Sequence, residues 1–395
     1  MWSGNHCDAI YLDAAATTYP RREVVECALS FPWENPSSVY LPGVEVRKKV
    51  ERIRKEILVF LGAGERDLLF TSGGTEANNT AVFSAMSASE KKKKAFCSGI
   101  DHASVEEALK TYAGEIVTIP IDRYGRLLPE KADFRGAGLI SVTHVNNEIG
   151  TIADVEAVYR MMTDLPPEER PLLHIDGVQA LGKIPLADIR KAVKMSDFYT
   201  ISAHKIHGLK GMGALIANKK RIKPFHIGGA QEFGLRGGTE NTPGIAAFGK
   251  AVELLKRNWT EEFLSSARTM KQTMVRLLHE KLGEGSYVLN SPESSTPFIL
   301  SVSIRGVKSE ILIHSLAEKG IYVSGASACS STKDTLSRVI RRIGTEEAYA
   351  DGTIRISLAP EIFYTDPERK IGEQELRFFV EELANIVTEI RKYNR

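Results

Sequence analysis

The chain has 395 residues, of which 43% are hydrophobic and 26% charged, and its formal net charge is +2 at pH 7. That length exceeds one ordinary hydrophobic core and predicts two domains, while the near-neutral charge gives no electrostatic basis for binding nucleic acid or an anionic membrane. No apolar run is long enough to span a bilayer and the first eight residues hold no signal-peptide core; the four cysteines (Cys7, Cys27, Cys97, Cys329) lack the close spacing of a zinc site or disulfide framework, so a reducing cytoplasm is expected.

Ile10-Tyr11-Leu12-Asp13 reads as a short strand followed by small residues and Thr17-Thr18, and Asn35-Pro36-Ser37-Ser38 as a turn. Val46, Val50, Ile53 and Ile57 have helical spacing. From residue 68 strand and helix alternate. Leu68–Thr71, Ala95–Cys97, Ile116–Ile119, Leu139–Thr143, Leu172–Asp176 and Phe198–Ile201 read as strands, with a further apolar run at Ala214–Ala217. Helices are expected to open near Thr75 and Ser104. Such alternation predicts an α/β fold, a mostly parallel sheet flanked by helices. Near residue 250 the texture changes to a long amphipathic helical region, Ala251 to Leu282. Strands at Phe298–Val302, Ile321–Ser324 and Thr353–Leu358 and a last helix from about Glu373 to Arg391 follow, which predicts a smaller α+β unit.

In an open α/β sheet, ligands sit outside the carboxyl ends of the strands, and the chemistry-bearing residues cluster there. Lys205 follows a buried strand, where desolvation favours a neutral, nucleophilic amine of the kind that forms a Schiff base with pyridoxal phosphate. Taken alone it reads as a solvated loop lysine, one of 52 lysines and arginines. Ser72-Gly73-Gly74-Thr75 lets a backbone approach an anion at a helix N-terminus, although Thr75 would also serve as an ordinary N-cap. His102 suits stacking on a flat ring, or capping the helix it precedes. Asp176, at the end of a buried strand, suits a pyridinium nitrogen, or a helix N-cap. Gln179 would face the same way if a helix starts there, and its amide could bond a ring hydroxyl. Ser202 and His204 flank Lys205 and could donate to a phosphate; Asn147 could lie beside the ring.

Taken together, Ser202-Ala203-His204-Lys205, Asp176-Gly177-Val178-Gln179, Ser72-Gly73-Gly74-Thr75-Glu76 and His144-Val145-Asn146-Asn147-Glu148-Ile149-Gly150 resemble the cysteine desulfurases, in the class V aminotransferase group of fold-type I pyridoxal phosphate enzymes. Tyr11 to Thr18, Asn35 to Ser38 and Arg236-Gly237-Gly238-Thr239 match as well, so the likeness runs along nearly the whole chain. The resemblance implies a large cofactor domain of residues 15–252 and a small domain of 1–14 and 253–395. It implies that Lys205 is the Schiff-base lysine, that Asp176 partners the pyridine nitrogen, that Gln179 bonds the ring hydroxyl and that His102 stacks on the ring. Gly74, Thr75, Ser202 and His204 would hold the phosphate, with Asn147 beside the cofactor. Thr239 would reach the phosphate of a neighbouring subunit, implying a homodimer with shared active sites.

Cys329 lies in Ser324-Gly325-Ala326-Ser327-Ala328-Cys329-Ser330-Ser331, a run with little apolar surface to bury. The resemblance makes it the persulfide-forming nucleophile, with Gly325-Ala326 where the family has Ser-Gly. The loop length to Gly344 is similar to that of the long-loop group, which serves iron–sulfur and thiocofactor synthesis. Arg355, a lone arginine in an apolar strand, suits either an internal salt bridge or a bound carboxylate; the resemblance assigns it the α-carboxylate of L-cysteine. The expected activity is conversion of L-cysteine to L-alanine with sulfur passed through Cys329 to an acceptor protein, and no metal is expected. The chain ends at Arg395 soon after the last helix, whereas members that dock the iron–sulfur scaffold carry a longer tail. Selenocysteine lyase or transaminase activity and a non-catalytic scaffold are the competing readings, separated by product analysis.

Overall fold

The computed structural model describes residues 9–88, 93–325, 336–359 and 371–393. Strand β1 (Ile10–Tyr11) stands apart from the strands that follow. Strands β2 (Asp67–Thr71), β3 (Lys94–Cys97), β4 (Glu115–Thr118), β5 (Ala137–Thr143), β6 (Leu172–Asp176), β7 (Phe198–Ser202) and β8 (Gly213–Ala217) form one seven-stranded sheet in the order β2-β8-β7-β6-β5-β3-β4. Only β8 runs against its neighbours; the other pairings are parallel. As a result β2, β3, β5, β6 and β7 all end at one edge, and β8 begins there, with Gly213 opposite both Thr71 and Ser202.

Successive side chains of a strand point to opposite faces, and here both faces are covered. Leu69, Leu139 and Leu215 pack against Ala77 and Val82 of helix Gly74–Met86 and Val105 of helix Ala103–Tyr112. Leu68, Phe70, Ile140, Ile175 and Ile201 pack on the other side with Ile57, Ile245 and Phe248. Burial on both faces explains why these strands read as continuous apolar runs.

A second core joins Phe263, Leu277, Leu300, Ile354, Phe379 and Leu383. Its four-stranded antiparallel sheet has the order β12-β13-β10-β9, where β9 is Tyr287–Leu289, β10 Ile299–Ile304, β12 Ser324–Gly325 and β13 Thr353–Ser357. Strand β1 pairs in parallel with β11 (Ile321–Tyr322), so Ile10 and Leu12 lie in the second core while Ala15 lies in the first.

Three local expectations change. The helical region near 251–282 is two helices, Thr242–Asn258 and Glu261–Leu282, because Thr260 accepts a hydrogen bond from Phe263 N at 3.2 Å and starts a new helix. The apolar run Ile321–Ser324 divides at Val323 between two sheets, β11 pairing with β1 and β12 with β13. Strand β9, short and half-buried, has no strong sequence pattern.

One buried ion pair positions a loop beside the strand ends. Arg54, on helix Leu41–Phe60, donates two 2.8 Å bonds to Glu232, whose Oε2 also accepts from Phe70 N at 2.9 Å. Glu232 and Phe233 have φ of 47° and 62°, a region side-chain-bearing residues rarely adopt. The guanidinium lies 4.7 Å and 4.9 Å from the rings of Phe70 and Phe233. Breaking such a pair leaves a buried charge alone. Arg54→Met should therefore cost about 3–5 kcal/mol of stability, read as a lowered urea midpoint, whereas Arg22→Ala at the exposed Arg22–Glu26 pair should leave the midpoint almost unmoved.

Candidate active site

The end of β2 forms a close turn that glycine makes possible. A Cβ at Gly213 would lie 2.6 Å from the carbonyl carbon of Gly73, and one at Gly74 would lie 2.7 Å from Val178 Cγ2. The helix that follows has Gly73 at its N-cap with no side-chain cap, so Thr75 is an exposed first-turn residue rather than the cap. Beside this turn the Ser202 hydroxyl is buried with no partner among the described residues. A buried hydroxyl without a partner next to uncapped backbone N–H groups fits an anion such as a phosphate. Ser72 N donates to Glu76 Oε2 at 2.8 Å, and Glu76 pairs with Arg236 at 3.0 Å. Burial pushes the Glu76 carboxyl up, but the Arg236 and Ser72 bonds outweigh it and the net shift is down. This pairing carries the Arg236–Thr239 loop to the turn, and exposed Thr239 lines a cleft of about 240 Å³ with Thr71, Ser72, Gly211 and Met212.

At the end of β7, a single 3-10 turn, Ala203–Lys205, places Lys205 half-buried, its Nζ donating to the carbonyls of Ala15 and Ala16 at 2.6 and 2.7 Å. Two main-chain acceptors hold the amine. His204 Nδ1 lies 3.1 Å from Thr17 Oγ1, and burial, with Lys205 close by, pushes the ring down to about 4. His204 is therefore a neutral donor or acceptor at neutral pH.

Asp176, at the end of β6, is 4% exposed and does not cap a helix. Its Oδ1 accepts from Val178 N at 3.0 Å and its Oδ2 from Asn78 Nδ2 at 2.8 Å. Asn78 also donates to Ser104 Oγ at 2.9 Å, whose hydroxyl meets His102 Nδ1 at 2.8 Å. His102 caps its helix through Ser104 N, as the ordinary reading expects, and still lies within the field of Asp176 and Lys205. Burial lowers its proton affinity, against the pull of Asp176. Asn78 was missed from sequence; its one signal is its place three residues after Thr75 on the same helix.

Gln179 lies in a turn, not at a helix start. Its Nε2 donates to Ala15 O at 2.8 Å and its Oε1 accepts from Lys183 Nζ at 2.8 Å. Arg355 lies on β13 with the internal ion pair in place, to Asp13 at 2.7 Å, and it also donates to Ser324 Oγ at 3.1 Å and to the Asn147 carbonyl at 3.0 Å. Its Nε is buried without a partner among the described residues. Next to Asn147, burial raises Glu148 to about 7, against the Ser337 hydrogen bond and Arg355. Asn147 is thus placed against Arg355 through its main chain. Cys329 lies outside the described residues, and among the described residues no cluster could hold a metal ion. Lys205, His204, His102, Asp176, Gln179, Ser202 and Gly74 are thus brought to one edge of the sheet.

Residues 10–366 match the family described as aminotransferase class-V. The cysteine desulfurase IscS 1 of Archaeoglobus fulgidus is 36% identical over 360 residues, which cover 88% of this chain and 91% of that protein. A solved NifS-like protein superposes with a TM-score of 0.83 at 29% identity, over 96% of this chain and 100% of its own. SspA, solved in complex with cysteine, superposes with a TM-score of 0.73 at 28% identity, over 89% of this chain and 99% of its own. The chain therefore belongs to the aminotransferase class-V family. Within that family it groups with the cysteine desulfurases, whose NifS-like members share its mostly parallel sheet.

Four imidazoles set an acid limit. Burial pushes His144, His174, His204 and His207 each down to about 4. An unfolded histidine titrates near ~6.5, so between ~6.5 and about 4 the unfolded chain binds protons that the fold excludes. Stability should be full above that window and fall as pH drops through it. Removing one titrating group by His174→Asn should flatten the slope of unfolding free energy against pH by about 1.4 kcal/mol per pH unit, measured by urea denaturation at stepped pH.

Proposed function

We propose that this protein is a pyridoxal phosphate-dependent desulfurase of L-cysteine, with Lys205, Asp176 and Cys329 in the principal roles. The observation that carries the reading is the buried Ser202 hydroxyl beside the Gly74 turn, without a partner among the described residues, at the edge where Asp176 ends its strand and Lys205 follows one. When bound, pyridoxal phosphate supplies a ring that withdraws electrons from the substrate Cα. Asp176, fixed by Asn78, would hold a proton on the ring nitrogen. His102 would cover one ring face, and Asn147 would lie beside it. Gly74, Thr75, Ser202 and His204 would take the phosphate, with Thr239 of a second copy; the exposure of Thr239 supports that assignment.

Lys205 would take and return the proton at the substrate Cα, its reach set by the Ala15 and Ala16 carbonyls. Arg355, oriented by Asp13 and the Asn147 carbonyl, would offer its remaining N–H to the α-carboxylate. The Cys329 thiolate would then attack the substrate sulfur. An S–S bond forms, the substrate C–S bond breaks with its electrons left on carbon, and protonation there yields L-alanine and a Cys329 persulfide. An external thiol or an acceptor protein would carry the terminal sulfur away. The two hydrophobic cores support a division into residues 15–252 and residues 1–14 with 253–395. Residence in the cytoplasm belongs to the same proposal, supported by the free thiols of Cys27 and Cys97.

Alanine release from L-cysteine, with and without a reductant, tests this reading. Lys205→Ala should abolish release and the borohydride-sensitive colour. Cys329→Ala should take up cofactor normally yet release almost no alanine and carry no persulfide; release at the unmodified rate would remove Cys329 from the mechanism and favour a selenocysteine substrate. Asn78→Ala strips a donor from a buried carboxylate, a loss of about 1.5–3 kcal/mol. Cofactor dissociation should therefore rise roughly tenfold or more, followed by dialysis against cofactor-free buffer.

A further inference from the structure

Lys183 is a second lysine in this region, and the chemistry above does not use it. Its side chain is fully buried, at 0% exposure, and Gln179 Oε1 is the one partner of its amine among the described residues. A buried amine is costly unless it is hydrogen-bonded to some purpose. Burial, with Lys205 and Arg355 nearby, holds its proton affinity well below that of an ordinary lysine. Its main-chain carbonyl accepts from buried Thr296 Oγ1 at 2.7 Å, which fixes the residue from the second core.

The orientation of the Gln179 amide follows from its partners. Ala15 O can only accept, so Nε2 must face it, and Oε1 must face the amine of Lys183. We propose that Lys183 is a positioning residue: its amine anchors Gln179 Oε1 while Ala15 O holds one N–H of Nε2, so that the second N–H is presented to the cofactor's ring oxygen. The inference rests on the pyridoxal phosphate reading. An N–H donor favours the ionised ring oxygen and draws negative charge from it. That charge is what retains the proton on the neighbouring nitrogen linking Lys205 to the ring. With the amine gone, Gln179 Oε1 loses its donor and the amide, held at Ala15 O alone, is free to swing its second N–H off the ring oxygen, so the linkage would keep its proton to higher pH.

The test is a pH titration of the cofactor absorption band in the reconstituted holoenzyme. Lys183→Met, which retains most of the side-chain volume, should move the midpoint upward by roughly half a unit or more. Lys183→Gln, which retains a donor, should move it less. In a Gln179→Leu background the same substitutions should move nothing, because a coupling through Gln179 vanishes with it. Thr296→Val disturbs the other bond of Lys183 and should leave the midpoint in place. If either Lys183 variant fails to fold, the other is read against the same background. An unmoved midpoint in the folded variants, or an equal shift with Gln179 removed, would overturn the inference alone. A wild-type protein that takes up no pyridoxal phosphate would overturn the cofactor reading with it.

Discussion

The carbonyl of Ala15 is the point on which the site depends. It accepts from Gln179 and from Lys205, and the segment around it is bonded along its length. Ala15 N donates to Ser357 Oγ at 2.9 Å, Ala16 O accepts from Lys205, Thr17 meets His204, and Thr18 N donates to His204 O at 2.9 Å. A segment outside any regular element must find partners for its buried polar groups, and this one finds them on two substructures. The three alanines at 14–16 keep it slim enough to lie against the strand ends. The same strap joins the cores, since Leu12 packs in one and Ala15 in the other.

Around that strap, burial and charge are balanced in a particular way. The histidines are held neutral, so they orient and accept rather than carry charge. The other polar side chains each have a specific partner: Asp176 has Asn78, Arg355 has Asp13, and Lys205 has two carbonyls. In a medium of low effective dielectric such pairings are strong, and a group left without one is expensive. The Ser202 hydroxyl and Arg355 Nε stand out against this background as buried groups with no partner among the described residues. In the proposed function they would face the two ends of the ligand, phosphate and carboxylate.

The family resemblance accounts for residues at the sheet edge but not for what supports them. Asn78, Thr17, Asp13 and Lys183 each bond a residue to which the proposed function gives a role, and none was singled out as a candidate from its own local pattern. Asp13 and Thr17 do lie in a stretch already matched to the family, yet their partners are 342 and 187 residues away.

Apolar runs and turn glycines were enough to define the strands of a mostly parallel sheet and the candidate residues at their ends, because strand periodicity and burial on both faces are properties of neighbouring residues. Leu172–Asp176 has the predicted bounds, and Phe198–Ser202 and Asp67–Thr71 differ by one residue. The tertiary structure alone decided that β8 runs backwards and that one helical region breaks at Thr260. It alone decided that Gln179 sits in a turn and that Lys205 rests on carbonyls about 190 residues away in sequence. Hydrogen bonds are directional and short, so their partners are chosen by how distant segments come into register, and no local pattern in the chain records that choice.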